Sequence, residues 1–150
     1  MIRINGVVLA ASAVLLVAGA AGAADQSSLQ SKTAPDGARE YIIWPRDGQT
    51  IKGGQFWLRM GLSGMGVAPA GVDRPNTGHH HLVIDAPLPA LDEPIPNDKQ
   101  HLHFGAGQTE ARIELPPGRH TLQLVLGDAD HVPFKPALYS QKITVTVPEQ

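Results

Sequence analysis

The sequence predicts an all-β protein, an antiparallel two-sheet sandwich of about seven strands, on three observations. Gly and Pro recur at short intervals after residue 40, in a chain of 150 residues with 16 Gly and 13 Pro, and that spacing leaves little room for a helix. The segments between them alternate apolar and polar with period two, as a sheet with one buried face requires. The breaks between segments carry turn chemistry.

The elements follow in order. Tyr41–Trp44 forms the first strand, closed by Pro45-Arg46-Asp47-Gly48. In 55–62, Phe56, Leu58, Met60 and Leu62 share one face, and Gln55, Trp57 and Arg59 the other. His79–Asp85 is a further strand. In 110–115, Ala111, Ile113 and Leu115 alternate with Glu110, Arg112 and Glu114. Pro116-Pro117-Gly118 then turns the chain, Pro fixing φ and Gly accepting a positive one. In 119–126, His120, Leu122, Leu124 and Leu126 alternate with Arg119, Thr121, Gln123 and Val125, and 142–147 sets Ile143, Val145 and Val147 against Lys142, Thr144 and Thr146. Short strands of this number in roughly a hundred residues fit an immunoglobulin-like or cupredoxin-like sandwich. The piece 86–100 is too Pro-rich for a regular element and long enough to be a flap.

The N-terminus has one positive charge at Arg3, an apolar run from Val7 to Ala18 and the small residues Ala21-Gly22-Ala23. This is the pattern of a Sec-type signal peptide over 1–23, cut before Ala24. The run is short of the roughly 20 apolar residues of a membrane span. A periplasmic or secreted protein with no stable membrane insertion after cleavage is expected. Residues 24–39 are polar and small and predict a flexible leader, which leaves 40–148 as a single β-sandwich domain.

The formal net charge is −2, and loss of Arg3 makes it slightly more negative. With no basic stripe, nucleic acid is excluded as a partner. The chain has no cysteine, so it has neither disulfides nor thiolate chemistry. No nucleophile elbow, phosphate loop or dinucleotide fingerprint is present.

All seven histidines fall between 79 and 131, as His79-His80-His81, His101-x-His103, His120 and His131. Neutral imidazole is the commonest protein ligand for transition metals. Residues two apart on a strand share a face, so His79 pairs with His81, and His101 with His103. If the two strands are neighbours, four imidazoles converge on one side of a sheet, with His131, in Asp128-x-x-His131, as a fifth candidate. His80 is in phase with Leu82 and Ile84, and His120 with Leu122 and Leu124, which makes both structural or supporting groups. Met60 reads as core, and Met65, in Ser63-Gly64-Met65-Gly66, as loop packing. Asp85 lies about 13 Å along the strand from His81, too far to share one ion with it.

Taken together, Gly78-His79-His80-His81-Leu82-Val83-Ile84-Asp85, His101-Leu102-His103-Phe104-Gly105, Leu115-Pro116-Pro117-Gly118-Arg119-His120-Thr121-Leu122 and Asp128-x-x-His131 resemble a bacterial exported family known as a domain of unknown function. That resemblance implies no activity. A looser likeness, through the Pro-Pro-Gly turn and the strand leading to Asp-x-x-His, is to periplasmic copper-resistance β-sandwich proteins. The His that those proteins place at the mature N-terminus is absent here.

The expectation is therefore a metal-binding protein, copper ahead of zinc, using His79, His81, His101, His103 and His131 for carriage, buffering or protection. The alternative is a non-catalytic module that contacts an envelope protein or glycan. A metal-dependent enzyme comes third, with Asp85, Asp128 and Glu110 as nominal bases.

Overall fold

A computed structural model describes residues 30–149; the expected signal peptide lies outside the described residues. The strands are β1 (Arg39–Trp44), β2 (Gln49–Thr50), β3 (Gln55–Ser63), β4 (Gly66–Val67), β5 (Thr77–Ile84), β6 (His101–His103), β7 (Glu110–Glu114), β8 (Gly118–Gly127) and β9 (Ile143–Val147). No helix occurs among the described residues, and none is long and apolar enough to cross a membrane. The smaller sheet runs β1-β3-β7 and the larger β2-β9-β8-β5-β4, with β6 also paired to β5. This is the expected β-sandwich, with one departure: β2 pairs β9 and β4 pairs β5 in parallel. Both parallel pairs involve two-residue strands at the sheet edge, where a passing loop can add a bridge in either direction.

The alternation builds the core as expected. Phe56, Leu58 and Met60 of β3 and Ile113 of β7 meet Leu82 of β5, Leu122 and Leu124 of β8, and Ile143, Val145 and Val147 of β9 in one buried cluster. Met65 packs against a second cluster containing Leu126, Phe134 and Leu138, so its thioether serves packing.

One expectation fails instructively. The sequence predicts strands with a single buried face, but β5 and β8 are buried on both. Gln123 and Val125, on the face of β8 opposite Leu122 and Leu124, are 7% and 0% exposed. The Pro-rich stretch 86–100 covers part of this face, and the segment carrying Tyr139 and Ser140 lies against Gln123 and Val125. The Pro-rich stretch lies along the outer face of the larger sheet and buries Ile95 against Val83 and Val125, with Ala86 and Leu88 beside them. Prolines stiffen such a stretch without demanding the hydrogen bonds of a regular element.

The segment 24–39, expected to be a flexible leader, is docked where it is described. Thr33 bridges Lys135, the Ala34 amide donates to the Lys135 carbonyl at 2.9 Å, and Ala34 is 5% exposed. Polar composition concealed this because two residues of pairing suffice to hold the segment.

The two sheets are also joined by a polar contact. Glu40 of β1 and His80 of β5 are both buried, with Glu40 Oε1 2.7 Å from His80 Nδ1. Burial raises the Glu40 carboxyl well above its usual range and lowers His80 to about 4. Both directions favour a neutral pair in which the carboxylic acid donates to Nδ1. Replacing Glu40 by Ala leaves that nitrogen buried and unpaired, and should cost about 1–3 kcal/mol of stability in urea denaturation. Replacing both partners with apolar residues of similar size should recover most of the loss.

Candidate metal centre

The register of β5 decides where the histidines go. With His80 facing the core beside Leu82, His79 and His81 face the other side of the larger sheet. The antiparallel ladder sets His81 opposite His103 and Val83 opposite His101 across β6, and His79 opposite Gly127 across β8. A directly opposed pair on neighbouring strands has Cβ atoms roughly 5 Å apart, close enough for two imidazoles to share an ion. The ring centroids confirm the convergence: His79 to His81 is 4.7 Å, His79 to His103 is 5.0 Å and His81 to His103 is 5.1 Å. One nitrogen from each of these three rings lies within 4.8 Å of the others. A tetrahedral ion about 2.1 Å from each nitrogen needs separations near 3.4 Å, so the rings must draw together to close on an ion.

His131 joins them from outside the sheet. It sits in the turn after β8, with centroids 5.0 Å from His79, 4.8 Å from His103 and 5.9 Å from His81. Its φ of 68° is left-handed, a conformation that costs a non-glycine residue of order 1 kcal/mol or more and that clusters at functional sites.

His101 does not join the cluster. It shares a strand face with His103, but its Nδ1 lies 2.9 Å from Asp98 Oδ1, which also accepts its backbone N–H at 2.9 Å. Opposite Val83 and about 6.6 Å along the strand from His103, its ring is anchored to Asp98. His-x-His spacing put both side chains on one face; the local carboxylate then drew one away.

The cluster's electrostatics follow from burial. His79, His80 and His81 are 0%, 0% and 1% exposed. Desolvation, and then the neighbouring His131 and His103 rings, lower His79 to about 4. Desolvation, with His79, His103 and His131 adding to it, lowers His81 to about 2, and burial with His131 also lowers His103. These three imidazoles are neutral at pH 7, the form that ligates metal. Both nitrogens of His79, both of His81 and Nε2 of His103 are buried without a hydrogen-bond partner in the protein. Native proteins rarely leave such groups unpaired, since each costs about 1–3 kcal/mol.

Asp85 and His120 belong elsewhere. Asp85, at φ 52°, accepts from the Thr121 amide at 2.7 Å and lies 2.7 Å from His120 Nδ1. His120 Nε2 donates to the Pro116 carbonyl at 2.9 Å. Burial lowers the His120 pKa, but the bonds to Asp85 and Pro116 outweigh it and the net shift is upward. The pair ties the end of β5 to β8, the structural role expected of His120.

Two glycines make room for the rings. A Cβ on Gly105 would collide with the His103 imidazole, and one on Gly127 would sit 2.8 Å from His81 Cε1 and 3.2 Å from the His131 Cα. Neither glycine needs a positive φ, so the constraint is space alone. Gly127→Ala should cost about 1–3 kcal/mol by overpacking and weaken metal binding together with stability, as read by denaturation and by metal titration.

Sequence reasoning did not foresee the partners of the cluster. Glu40 is in phase with Ile42 in β1, a signal that it faces the core, but nothing marked His80 as its partner. The bonds that Asp128 Oδ1 accepts from the Asp130 and Val132 amides were equally hidden, because they are made within its own turn.

A β-sandwich whose larger sheet carries a buried, carboxylate-free histidine cluster is the class of protein these observations define. The chain belongs to the family described as a domain of unknown function, DUF4399, whose sequence profile matches residues 58–148. The matched stretch contains all seven histidines. No curated protein and no solved structure shows significant similarity to the chain.

Proposed function

We propose that this protein binds one transition-metal ion through His79, His81 and His103, with His131 as fourth ligand, and serves carriage, buffering or protection in the periplasm or after secretion. The observation that carries the reading is the set of buried imidazole nitrogens with no partner, on three rings that each bring one nitrogen within 4.8 Å of the others. An ion on one nitrogen of each ring removes part of that desolvation cost.

Copper is preferred to zinc because an all-nitrogen set binds Cu(II) most tightly of the first-row divalent ions. The arrangement favours holding over turnover. A catalytic metal keeps an open position and a nearby base. In this reading His131, whose ring lies 5.0 Å from that of His79, takes the fourth position, and Asp85 is committed to His120.

The test is titration of the untagged protein with Cu(II), Zn(II) and, anaerobically, Cu(I) against a competing chelator. One-to-one binding that disappears in the His81→Ala/His103→Ala variant is expected. Weak, nonstoichiometric binding that the substitutions leave unchanged would sink the assignment.

A surface role is a second reading, favoured by a separate observation. Tyr41, Ile43 and Trp57, on the outer face of β1-β3-β7, are 44%, 50% and 50% exposed. Such a face suits contact with an envelope protein. Trp57→Ala should leave metal affinity unchanged, which separates the two readings.

A further inference from the structure

Three of the clustered imidazoles are fixed by strand pairing, but His131 is not, and something must hold its turn. We propose that Asp128 is a positioning residue for the metal site: its carboxylate builds the turn that presents His131 and so sets the coordination number of the bound ion. The inference rests on the metal-binding reading above and deepens it.

Asp128 is 1% exposed, and its Oδ1 accepts two backbone hydrogen bonds, from Asp130 N at 2.9 Å and Val132 N at 3.0 Å. Its own backbone closes the same turn, the Asp128 amide donating to the Val132 carbonyl and the His131 amide to the Asp128 carbonyl, both at 3.0 Å. His131 thus lies inside a loop whose ends and middle are tied to one residue. A side-chain oxygen that accepts from amides two and four residues on is a turn device particular to short polar side chains, and it sustains the left-handed φ of His131.

The turn is then moored to the rest of the site. Asp128 Oδ2 is 4.0 Å from Lys32 Nζ, which also contacts Asp73 Oδ1 at 2.6 Å. The loop carrying Asp73 bridges the backbone beside His103 and the backbone beside His131. The Ala70 amide donates to Gly105 O, two residues past His103, and the Gly71 amide to Ala129 O, two residues before His131, both at 2.9 Å. On the other side, Ile95 of the Pro-rich stretch donates its amide to His131 O at 2.9 Å. The bonds from Gly71 and Ile95 fix the backbone on either side of the His131 turn, and among these contacts the Asp128 carboxylate is the only side chain that bonds within the turn itself.

The consequence is specific to the acceptor oxygen. Asp128→Ala removes it, whereas Asp128→Asn keeps an oxygen at the same place and loses only the charge toward Lys32. Cobalt(II) alone is the probe, because its visible bands are intense in a four-coordinate tetrahedral site and weak at higher coordination. Asp128→Ala should weaken Co(II) affinity by about 10–100-fold, the usual effect of removing a ligand's supporting partner, and should lower the band intensity to that of His131→Ala. Asp128→Asn should retain most of both. In a His131→Ala background, Asp128→Ala should cost no further affinity.

A wild-type spectrum and affinity in Asp128→Ala would overturn the proposal while leaving the metal site standing. A further loss in the His131→Ala background would do the same, since the aspartate would then act other than through His131. If Asp128→Ala does not fold, His131→Ala alone decides: unchanged tetrahedral bands would show that the turn supplies no ligand. Failure of the wild-type protein to bind Co(II) would instead remove the metal reading, and this proposal with it.

Discussion

Loading the protein with Cu(II) or Zn(II) should raise its unfolding temperature by on the order of 10–15 °C, and the His81→Ala/His103→Ala variant should show no such rise. A ligand that binds only the folded state stabilises by about 4 kcal/mol at a thousand times its Kd. A chain of this size gains about 3–4 °C for each kcal/mol. Folding is what brings the ligands together: His79 and His81 lie on β5, His103 on β6, and His131 in the turn after β8. The unfolded chain therefore has no equivalent site, beyond the weaker attraction of an isolated histidine run. Differential scanning fluorimetry with and without free metal buffered at about a thousand times its Kd reads the shift. An equal rise in the variant would place the metal elsewhere.

The second large effect is loss of apo-protein stability in acid. Folding holds His79 down to about 4 and His81 to about 2, against about 6.5 for an unfolded histidine. As pH falls below 6.5 the unfolded chain takes up protons that the folded one refuses, so stability falls with pH. Above 6.5 the contribution is fully present, and it is lost progressively toward pH 4. His80 adds to this trend with its own lowered value, while Glu40, raised well above its usual range, opposes it above about pH 4.5. The two members of that buried pair therefore act in opposite directions over this window. His79 and His81 together should remove roughly 4 kcal/mol at pH 5, a large part of the 5–15 kcal/mol typical of a whole domain.

His120 runs the other way. Its raised folded value contributes stability below 6.5 that is lost as pH rises through that value. Urea melts of the metal-free protein between pH 4 and 8 should therefore show the steepest fall from pH 6.5 to 4.5. The metal-loaded protein should resist to lower pH, because protons must displace the ion first. A flat profile in the metal-free protein would contradict the burial of neutral imidazoles on which the site is built.

Much of the fold was legible because it is written with period two. Phe56, Leu58 and Met60, or Leu122 and Leu124, can share a core only in extended chain, and the Gly and Pro between such runs forbid the alternatives. The same rule placed His79 with His81 and opposed His80 to them. Confinement of all seven histidines to residues 79–131 was enough to mark a histidine cluster that could hold a metal. Local pattern carries this information because a side chain's face depends only on its immediate neighbours along the strand.

What the pattern could not carry is anything set between distant residues. His101 and His103 are equivalent by spacing, and only the Asp98 carboxylate, placed by its own loop, separates them. His131 belongs to no strand, and its ring reaches the cluster from a turn in which the Asp128 carboxylate accepts two backbone amides. The partner of His80 is 40 residues away on the opposite sheet. The Pro-rich stretch was recognisable as irregular, yet that it covers part of the outer face of β5 and β8 follows only from where Ile95 lands. Sequence by itself determined the strands, their faces and the imidazole chemistry of the cluster. Tertiary structure decided which imidazoles meet and that they meet out of water, because convergence and burial depend on the packing of segments far apart in the chain.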